Sequence, residues 1–288
     1  LAAGDRSTVL DAGLTAAAPE PVTPQPAPAV DSRDDAGGAP APAVAAVLEQ
    51  YPTGRWVDAR HELNRMLRDS RSEAERRELR RHLSQIAAET IFSRARAEED
   101  PLREVYTVRP GDVLARIAPR YNVPYEAIMR VNGLHNAGAL RAGQALIVPR
   151  GPFNVRISKG DFRLDVYLQD LYVGSYRVGL GADSSTPTGT WKVVNRLRNP
   201  TYYPPASARD KRIIPPHDPN NPLGGFWIGL EGVEGDCVGQ VGFGIHGTIE
   251  PETIGRNASL GCVRMHNEDV AEVYQLLQPG SSRVIIER

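Results

Sequence analysis

The chain has 288 residues, 41% of them hydrophobic, which is enough for two or three domains, while 24 prolines and 27 glycines indicate that part of it is linker. Its 34 basic and 35 acidic residues leave a formal net charge of -1, which excludes the strongly basic balance of a nucleic-acid-binding protein. No run of residues approaches the roughly 18 apolar residues of a transmembrane helix. An export signal or a membrane anchor would therefore lie outside these residues.

The N-terminal third predicts a linker followed by helices. Residues 1–43 are rich in Ala and Pro, a composition that buries too little apolar surface to fold and that predicts a disordered tether. Residues 44–100 carry apolar residues at helical spacing, and Ser72 followed by Glu75 fits a capping box. We interpret this region as a helical spacer, similar to a tetratricopeptide pair, or as a docking piece for another protein.

Residues 105–150 follow the pattern strand, helix, helix, strand. The first strand is predicted from Val105 to Arg109. Asp112 is placed to cap a helix that starts at Val113, and Pro124 stands near the start of the second helix. The pattern predicts a small α+β module.

This block resembles the lysin motif (LysM) module over its whole length. The matching residues are Tyr106, Val108, Gly111, Asp112, Leu114, Ile117, Ala118, Tyr121, Val123, Ile128, Asn132, Leu140, Gly143, Gln144, Leu146 and Ile147. The resemblance implies binding of glycans that contain N-acetylglucosamine, through two loops that here carry Gly111, Asp112, Val113, Leu114, Asn136 and Leu140. Val113 stands where the family usually has Thr or Ser. For Leu114 a place in the apolar core is the competing interpretation.

After Pro149, short segments rich in β-branched and aromatic residues alternate with Gly and Pro turns. Such a pattern is typical of strands in a mainly β domain. We predict a β sandwich over residues 152–288, with one small helix near Asp269 to Leu277.

One segment of this domain, from Gly244 to Val270, carries the residues for nucleophilic catalysis. The Cys262 thiol is mostly protonated at neutral pH and needs a base, and His246 lies 16 residues before it, a separation that suits a strand end and a loop folding back. Gly261 lets the backbone approach a substrate carbonyl closely, so the Gly261 and Cys262 amides are the predicted oxyanion donors.

The same segment resembles the L,D-transpeptidase catalytic family, whose signature is His-Gly, a spacer and Ser-x-Gly-Cys followed closely by Arg. The matching residues are His246, Gly247, Ser259, Gly261, Cys262 and Arg264. Two further segments, TPTGTW at 186–191 and NPLGGFWIGL at 221–230, extend the resemblance over residues 152–288. Leu260 stands where many relatives have His, which leaves His246 as the predicted base. His266 is left out of the catalytic set.

The resemblance implies that Cys262 attacks the carbonyl of the third residue of a peptidoglycan stem tetrapeptide and expels the terminal D-alanine. The amine of a second stem then resolves the thioester to give a 3-3 cross-link, with His246 accepting and returning the proton. Gly247 supplies the backbone carbonyl that orients the imidazole. Ser259, Arg264 and Trp227 are assigned to substrate binding. For Arg264 the alternative role is to steady the turn that carries the nucleophile.

Three alternatives stay open at this point. An L,D-carboxypeptidase, in which water resolves the thioester, would use the same residues, as would an enzyme that attaches a protein to peptidoglycan. The third alternative is a non-catalytic cell-wall-binding protein, and the intact His246 and Cys262 argue against it. We expect an exported protein of the periplasm or cell envelope.

The sequence predicts no cofactor and no metal, because its His and Cys residues follow no zinc-site spacing. Cys237 could pair with Cys262, which would block catalysis, or could be an incidental thiol. We predict the second.

Overall fold

The computed structural model describes residues 42–51, 55–94, 100–204 and 210–288. The prediction of a disordered tether over residues 1–43 therefore lies outside the described residues except at its last two positions. The described chain contains a helical unit, a small α+β module and a mainly β domain, in that order. This order confirms the fold class predicted from the sequence.

The helical unit has three helices: α1 (Pro42–Gln50), α2 (Trp56–Asp69) and α3 (Glu73–Thr90). The Ser72 hydroxyl accepts a hydrogen bond from the Glu75 amide at 3.4 Å and so caps α3, as the sequence predicts. The apolar faces of α2 and α3 pack against each other through fully buried Leu63, Leu79 and Leu83.

The α+β module consists of β1 (Arg103–Thr107), α4 (Leu114–Ile117), α5 (Tyr125–Asn132) and β2 (Ala145–Pro149). The two strands pair antiparallel, with Arg103 opposite Pro149 and Thr107 opposite Ala145. The predicted cap is wrong, because Val113 is the N-cap of α4 and makes no side-chain cap hydrogen bond. The Asp112 carboxylate instead accepts hydrogen bonds from the Tyr106 hydroxyl at 2.7 Å and the Arg109 amide at 2.8 Å.

The strands of the C-terminal domain are β3 (Phe153–Ser158), β4 (Arg163–Leu168), β5 (Leu171–Arg177), β6 (Leu180–Gly181), β7 (Gly189–Arg198), β8 (Phe226–Glu234), β9 (Phe243–His246), β10 (Asn257–Ser259), β11 (Val263–Arg264) and β12 (Arg283–Glu287). Eight of them form one large sheet, in the order β11-β9-β8-β7-β12-β3-β4-β5, and β10 pairs with β6 in a two-stranded sheet. The one α-helix of this domain in the described residues, α6 (Asn267–Tyr274), begins two residues before the predicted start.

The helical unit covers β5, one of the two outer strands of the large sheet. The Asn64 side-chain oxygen on α2 accepts a hydrogen bond from the Tyr172 backbone amide at 2.8 Å, and the Tyr172 ring is fully buried among the helices. On the same unit, Arg60 makes two hydrogen bonds of 2.8 Å to Asp100, and neither side chain is exposed. The helices are thus packed onto the mainly β domain.

No helix among residues 42–51, 55–94, 100–204 and 210–288 combines the length and the apolarity that crossing a lipid bilayer requires.

Candidate active site

Two neighbouring strands bring the predicted nucleophile and base together. His246 is the last residue of β9, and the parallel strand β11 pairs Val263 with Ile245 and Arg264 with His246. Cys262, directly before β11, therefore lies beside Gly244 on β9. Both side chains open onto one pocket of about 540 Å³, whose other lining residues include Tyr202, Tyr203, Leu223, Trp227, Phe243, Ser259, Leu260 and Arg264.

The turn before Cys262 depends on Gly261. Its φ is +132°, a value that disfavours any side chain, and a Cβ there would stand 2.8 Å from the Phe243 ring. The Thr186 hydroxyl donates a hydrogen bond to the Gly261 carbonyl at 2.8 Å, which ties the turn to the TPTGTW segment. The Ser259 hydroxyl donates to the Cys262 carbonyl at 2.6 Å and accepts from the Gly261 amide at 3.1 Å.

These contacts change two roles predicted from the sequence. The Gly261 amide points at Ser259 and not at the pocket, so it is not placed to bind an oxyanion. The Ser259 hydroxyl is engaged in the turn and its residue is only 3% exposed, so its main role is to hold the nucleophile, and only a small part of the residue borders the pocket. The Cys262 amide stays the predicted oxyanion donor.

His246 is held in one orientation by its own strand end. Its Nδ1 lies 2.6 Å from the Gly247 carbonyl oxygen, the orienting contact predicted for Gly247. Because a carbonyl only accepts, Nδ1 carries the proton and Nε2 is left with the lone pair. The Trp227 ring stacks on the imidazole at 5.9 Å between centroids, with planes 20° apart. Trp227 thus lines the pocket and also fixes the base.

Burial sets the ionisation of both groups. It lowers the pKa of His246 to about 4, with the positive charge of Arg264 acting in the same direction and the Gly247 hydrogen bond opposing it. Burial raises the pKa of Cys262, although a hydrogen bond from the Gly244 backbone and the charge of Arg264 act to lower it. At neutral pH the pair is therefore a thiol and a neutral imidazole.

Arg264 stands at the pocket wall with its charge already partnered. Its guanidinium donates to the Glu250 carboxylate at 2.6 Å and to the Thr253 hydroxyl at 3.3 Å. Its backbone exchanges hydrogen bonds of 2.8 Å with Gly179. Of the two roles predicted for Arg264, the structure displays the steadying of the nucleophile turn. Glu250 and Thr253 were not anticipated, because nothing in their local sequence marks them as partners.

The remaining pocket walls include the segment of Tyr202 and Tyr203 and the Phe243 side chain of β9. Tyr202 is held by backbone hydrogen bonds of 2.8 and 3.1 Å to Ile214, and the Tyr203 ring is 69% exposed. Phe243 was missed as a pocket residue, although its place on the strand that ends at His246 is a usable signal.

The residues predicted to bind glycan are divided between core and surface. Leu114 is 1% exposed and belongs to the core, so its side chain is not free for a ligand. Val113 is 43% exposed, and Gly111 has a φ of +81°. The Asn136 side chain accepts from the Gly138 amide at 2.8 Å and shapes its own loop. The loop containing Leu140 leads into β2, so pairing of the strands sets both loops at the same end of the module.

Both cysteines are free thiols. The Cys237 thiol is fully buried and donates toward the backbone carbonyls of Thr190 at 3.3 Å and Glu234 at 3.1 Å. It therefore fills a structural position away from the pocket. Within the described ranges, no group of three or more His, Cys, Asp or Glu side chains is arranged to hold a metal ion.

Comparison with known proteins matches both folded modules. Residues 152–286 match the family model of the L,D-transpeptidase catalytic domain, called YkuD, and residues 106–149 match the LysM domain. Similar proteins include YkuD of Bacillus licheniformis, 31% identical over 189 residues that span 63% of this chain and 98% of the relative. YkuD of Bacillus subtilis is also 31% identical, over 64% of this chain and 98% of the relative. The names of both class them with the L,D-transpeptidases.

The solved structure of L,D-transpeptidase 3 from Mycobacterium tuberculosis aligns with 51% of this chain and 66% of its own chain, at 14% identity and a TM-score of 0.39. The two Bacillus proteins are matched over 98% of their own length, and the family model covers the C-terminal domain of this chain. The chain belongs to the L,D-transpeptidase (YkuD) family and carries a LysM domain before its catalytic domain.

Proposed function

We propose that this L,D-transpeptidase forms 3-3 cross-links between peptidoglycan stem peptides through a thioester on Cys262. The observation that supports the proposal most is the shared pocket of Cys262 and His246, with the imidazole held by the Gly247 carbonyl. A nucleophile, a base and a group that orients the base are the parts that acyl transfer requires.

In the first half-reaction, the Cys262 sulfur attacks the carbonyl carbon of the third stem residue while Nε2 of His246 takes the thiol proton. The carbon-nitrogen bond to the terminal D-alanine then breaks, and His246 returns the proton to the departing amine. A thioester on Cys262 is left. In the second half, the amine of another stem attacks this thioester, its proton passes to His246, and the sulfur leaves as the thiol.

The ionisation of the pair fits this sequence of steps. Because His246 is neutral at neutral pH, it can accept the thiol proton as the sulfur attacks. The imidazolium that forms is stabilised by the Gly247 carbonyl, which the Nδ1 proton faces at 2.6 Å. The Cys262 amide, at the start of β11, is the proposed donor to the oxyanion.

The LysM domain supports action on polymeric wall. Its two loops lie at one end of the module, and Val113 presents an exposed apolar side chain there. We infer that this end binds glycan that contains N-acetylglucosamine and keeps stem peptides near the pocket. We propose accordingly that the protein acts outside the cytoplasmic membrane, in the periplasm or cell envelope, where peptidoglycan is found.

The test is incubation of the purified protein with disaccharide tetrapeptide muropeptides, followed by liquid chromatography and mass spectrometry. We expect dimers with 3-3 links, and no product with Cys262→Ala. A tripeptide product without dimers would assign the enzyme as an L,D-carboxypeptidase. The absence of both products would reject the enzymatic proposal.

A second measurement addresses the thioester chemistry directly. A carbapenem should acylate Cys262 and add its mass to the intact protein, whereas Cys262→Ala should stay unmodified. Binding to purified glycan should persist in that variant, because the LysM loops are separate from the pocket.

A further inference from the structure

The LysM domain is packed against the catalytic domain through one helix. Helix α5 is buried from Glu126 to Asn132, although only one of its faces can meet its own module. The other face carries Glu126 and Arg130, which stand four residues apart and therefore project side by side. Both are charged, and they are 4% and 6% exposed. Buried charges of this kind require partners, and the catalytic domain provides them.

Two ion pairs cross the interface. In one of them the LysM domain provides the Glu, and in the other it provides the Arg. Arg196 of β7 lies 3.2 Å from Glu126, and Arg130 lies 3.2 Å from Glu272 of α6. The Glu272 carboxylate also accepts a hydrogen bond from the Tyr176 hydroxyl at 2.7 Å. Each domain thus contributes one Arg and one Glu. Because every pair is directional and largely buried, the two domains fit together in one orientation.

A cation–π contact, a ring stack and apolar packing extend the same interface. The Arg130 guanidinium lies 5.1 Å from the centre of the Phe92 ring, and Phe92 stacks on Phe153 of β3 at 6.1 Å. The buried apolar residues of the LysM domain and of the catalytic domain form one continuous cluster, which includes Ile128 and Val273. A cluster of this kind is the core of one body and not the surface of two.

The segment that connects the two domains is also fixed, by hydrogen bonds at Arg150 and Gly151. The Gly151 amide donates to the Tyr121 carbonyl of the LysM domain at 2.8 Å, while Gln169 of the catalytic domain donates to the Arg150 carbonyl at 2.9 Å. A Cβ at Gly151 would overlap the Asn122 carbonyl. A flexible linker needs room and free backbone groups, and this connection has neither.

From these contacts, and on the basis of the proposed function, we propose that the LysM domain is a fixed guide that selects which stem peptide on a glycan strand reaches Cys262. A flexible tether would raise the local concentration of all nearby stems. A rigid guide presents only the stem at one spacing and on one side of the bound sugar. The preferred substrate is therefore a stem attached to a long strand, and stems close to one end of the strand are out of reach.

The test uses short uncross-linked glycan strands that carry tetrapeptide stems, with the processed positions mapped by mass spectrometry. In the parent protein we expect a block of unprocessed stems at one strand end, converted several-fold less than the others. Insertion of about ten Gly/Ser residues between Arg150 and Gly151 should leave this pattern unchanged, because the ion pairs still hold the domains. Adding Glu126→Arg and Glu272→Arg to the insertion should release the LysM domain and remove the block.

Equal conversion at all positions by the parent protein, or a block that persists in the released variant, would overturn the guide. Free disaccharide tetrapeptide is converted equally by all three proteins if the catalytic domain is folded and active. Failure of the parent protein on this small substrate would instead reject the proposed function. Glu268→Arg, an exposed position on the same helix α6, is the matched control for added charge and should keep the block.

A physical measurement covers the case in which the released variant does not fold. Spin labels on Ala142→Cys and Glu268→Cys, in the Cys262→Ala background, report the separation of the two domains by pulsed electron paramagnetic resonance. Both positions are exposed, and the remaining Cys237 is fully buried. One narrow distance distribution is expected, and a broad distribution would overturn the guide.

Discussion

The active-site pair and the Arg60–Asp100 pair are both buried, but Cys262 and His246 are held uncharged whereas Asp100 keeps its charge. Around Cys262 and His246 burial is the largest influence, and it favours the uncharged form of each. Burial also opposes ionisation of Asp100, but two hydrogen bonds and the charge of Arg60 outweigh it and lower the pKa of Asp100. A buried group with a matched counter-charge stabilises architecture, whereas one without it remains available for proton transfer.

The largest expected effect comes from removing the nucleophile. Cys262→Ala should lower the rate of muropeptide conversion by about 10⁴-fold or more, since no other group in the mechanism forms the thioester. The urea midpoint should change little, because a small side chain replaces another at a pocket surface. Conversion and urea denaturation measured on the same preparation check both points. Substantial residual conversion would show that Cys262 is not the nucleophile.

Breaking the Arg60–Asp100 ion pair should lower the stability of the fold and leave catalysis unchanged. Asp100→Ala leaves Arg60 buried without its partner, and we expect a loss of about 3–5 kcal/mol in the free energy of unfolding. Asp210→Ala removes a carboxylate whose pair with Arg212 is exposed, so it serves as the matched control and should cause no measurable change. Urea denaturation at neutral pH distinguishes the two. Equal losses in the free energy of unfolding would mean that the buried ion pair stabilises the fold no more than the exposed one.

The pH dependence of the same pair has a defined sign. The pKa of Asp100 is lower in the folded than in the unfolded chain, so its contribution is complete above the unfolded value of about 3.9. It is lost as the pH falls through the lower, folded value. The stability difference between the parent protein and Asp100→Asn should therefore shrink at acidic pH.

The contribution of His246 to stability should change over a higher pH range than that of Asp100. Its folded pKa of about 4 lies below the ordinary 6.5, so the unfolded chain binds the proton first and stability falls as the pH drops from about 6.5 to 4. A depression of this size corresponds to about 3 kcal/mol. His246→Gln should flatten this part of the curve of unfolding free energy against pH. The acid limb of kcat/KM should likewise lie near pH 4, and a limb near 6.5 would contradict the burial of the base.

The smallest effect is expected in the turn that carries the nucleophile. Ser259→Ala removes two hydrogen bonds, to the Cys262 carbonyl and from the Gly261 amide, and should lower kcat about tenfold by loosening the position of the thiol. The Ser281 hydroxyl has no hydrogen-bond partner in the described structure. Ser281→Ala is therefore the control and should keep full activity. A large rise in KM with unchanged kcat would restore the substrate-binding role predicted from the sequence.

The sequence predicted the parts of the site that depend on neighbours in the chain. Cys262, His246 and the Gly247 carbonyl belong to short motifs, and the strand alternation around them is visible in the sequence. The direction of the Gly261 amide was not predictable, because it depends on where the Ser259 hydroxyl turns. Residue type alone could not distinguish a hydroxyl that holds the turn from one that faces a ligand.

The contacts among the helical unit, the LysM domain and the catalytic domain could not be predicted from the sequence. Helical periodicity predicts that α2 and α3 each bury a face, but it does not say against what. Arg130 and Glu272 are 142 residues apart, and Arg60 and Asp100 are 40 apart. Charge counts along the chain treat all four as surface residues. Only the packing of the helices onto the sheet reveals that they are buried partners.

The contact between Asn64 and the Tyr172 backbone has a consequence for how this protein can be shortened. An uncovered outer strand offers free amides and carbonyls to any neighbouring molecule and is a common origin of aggregation. Here a side chain of α2 occupies one of those amides, and the helices cover the Tyr172 ring. A version that begins at residue 103 would keep every catalytic residue and still lose this cover. It should precipitate or form fibres at concentrations where the longer chain stays dispersed.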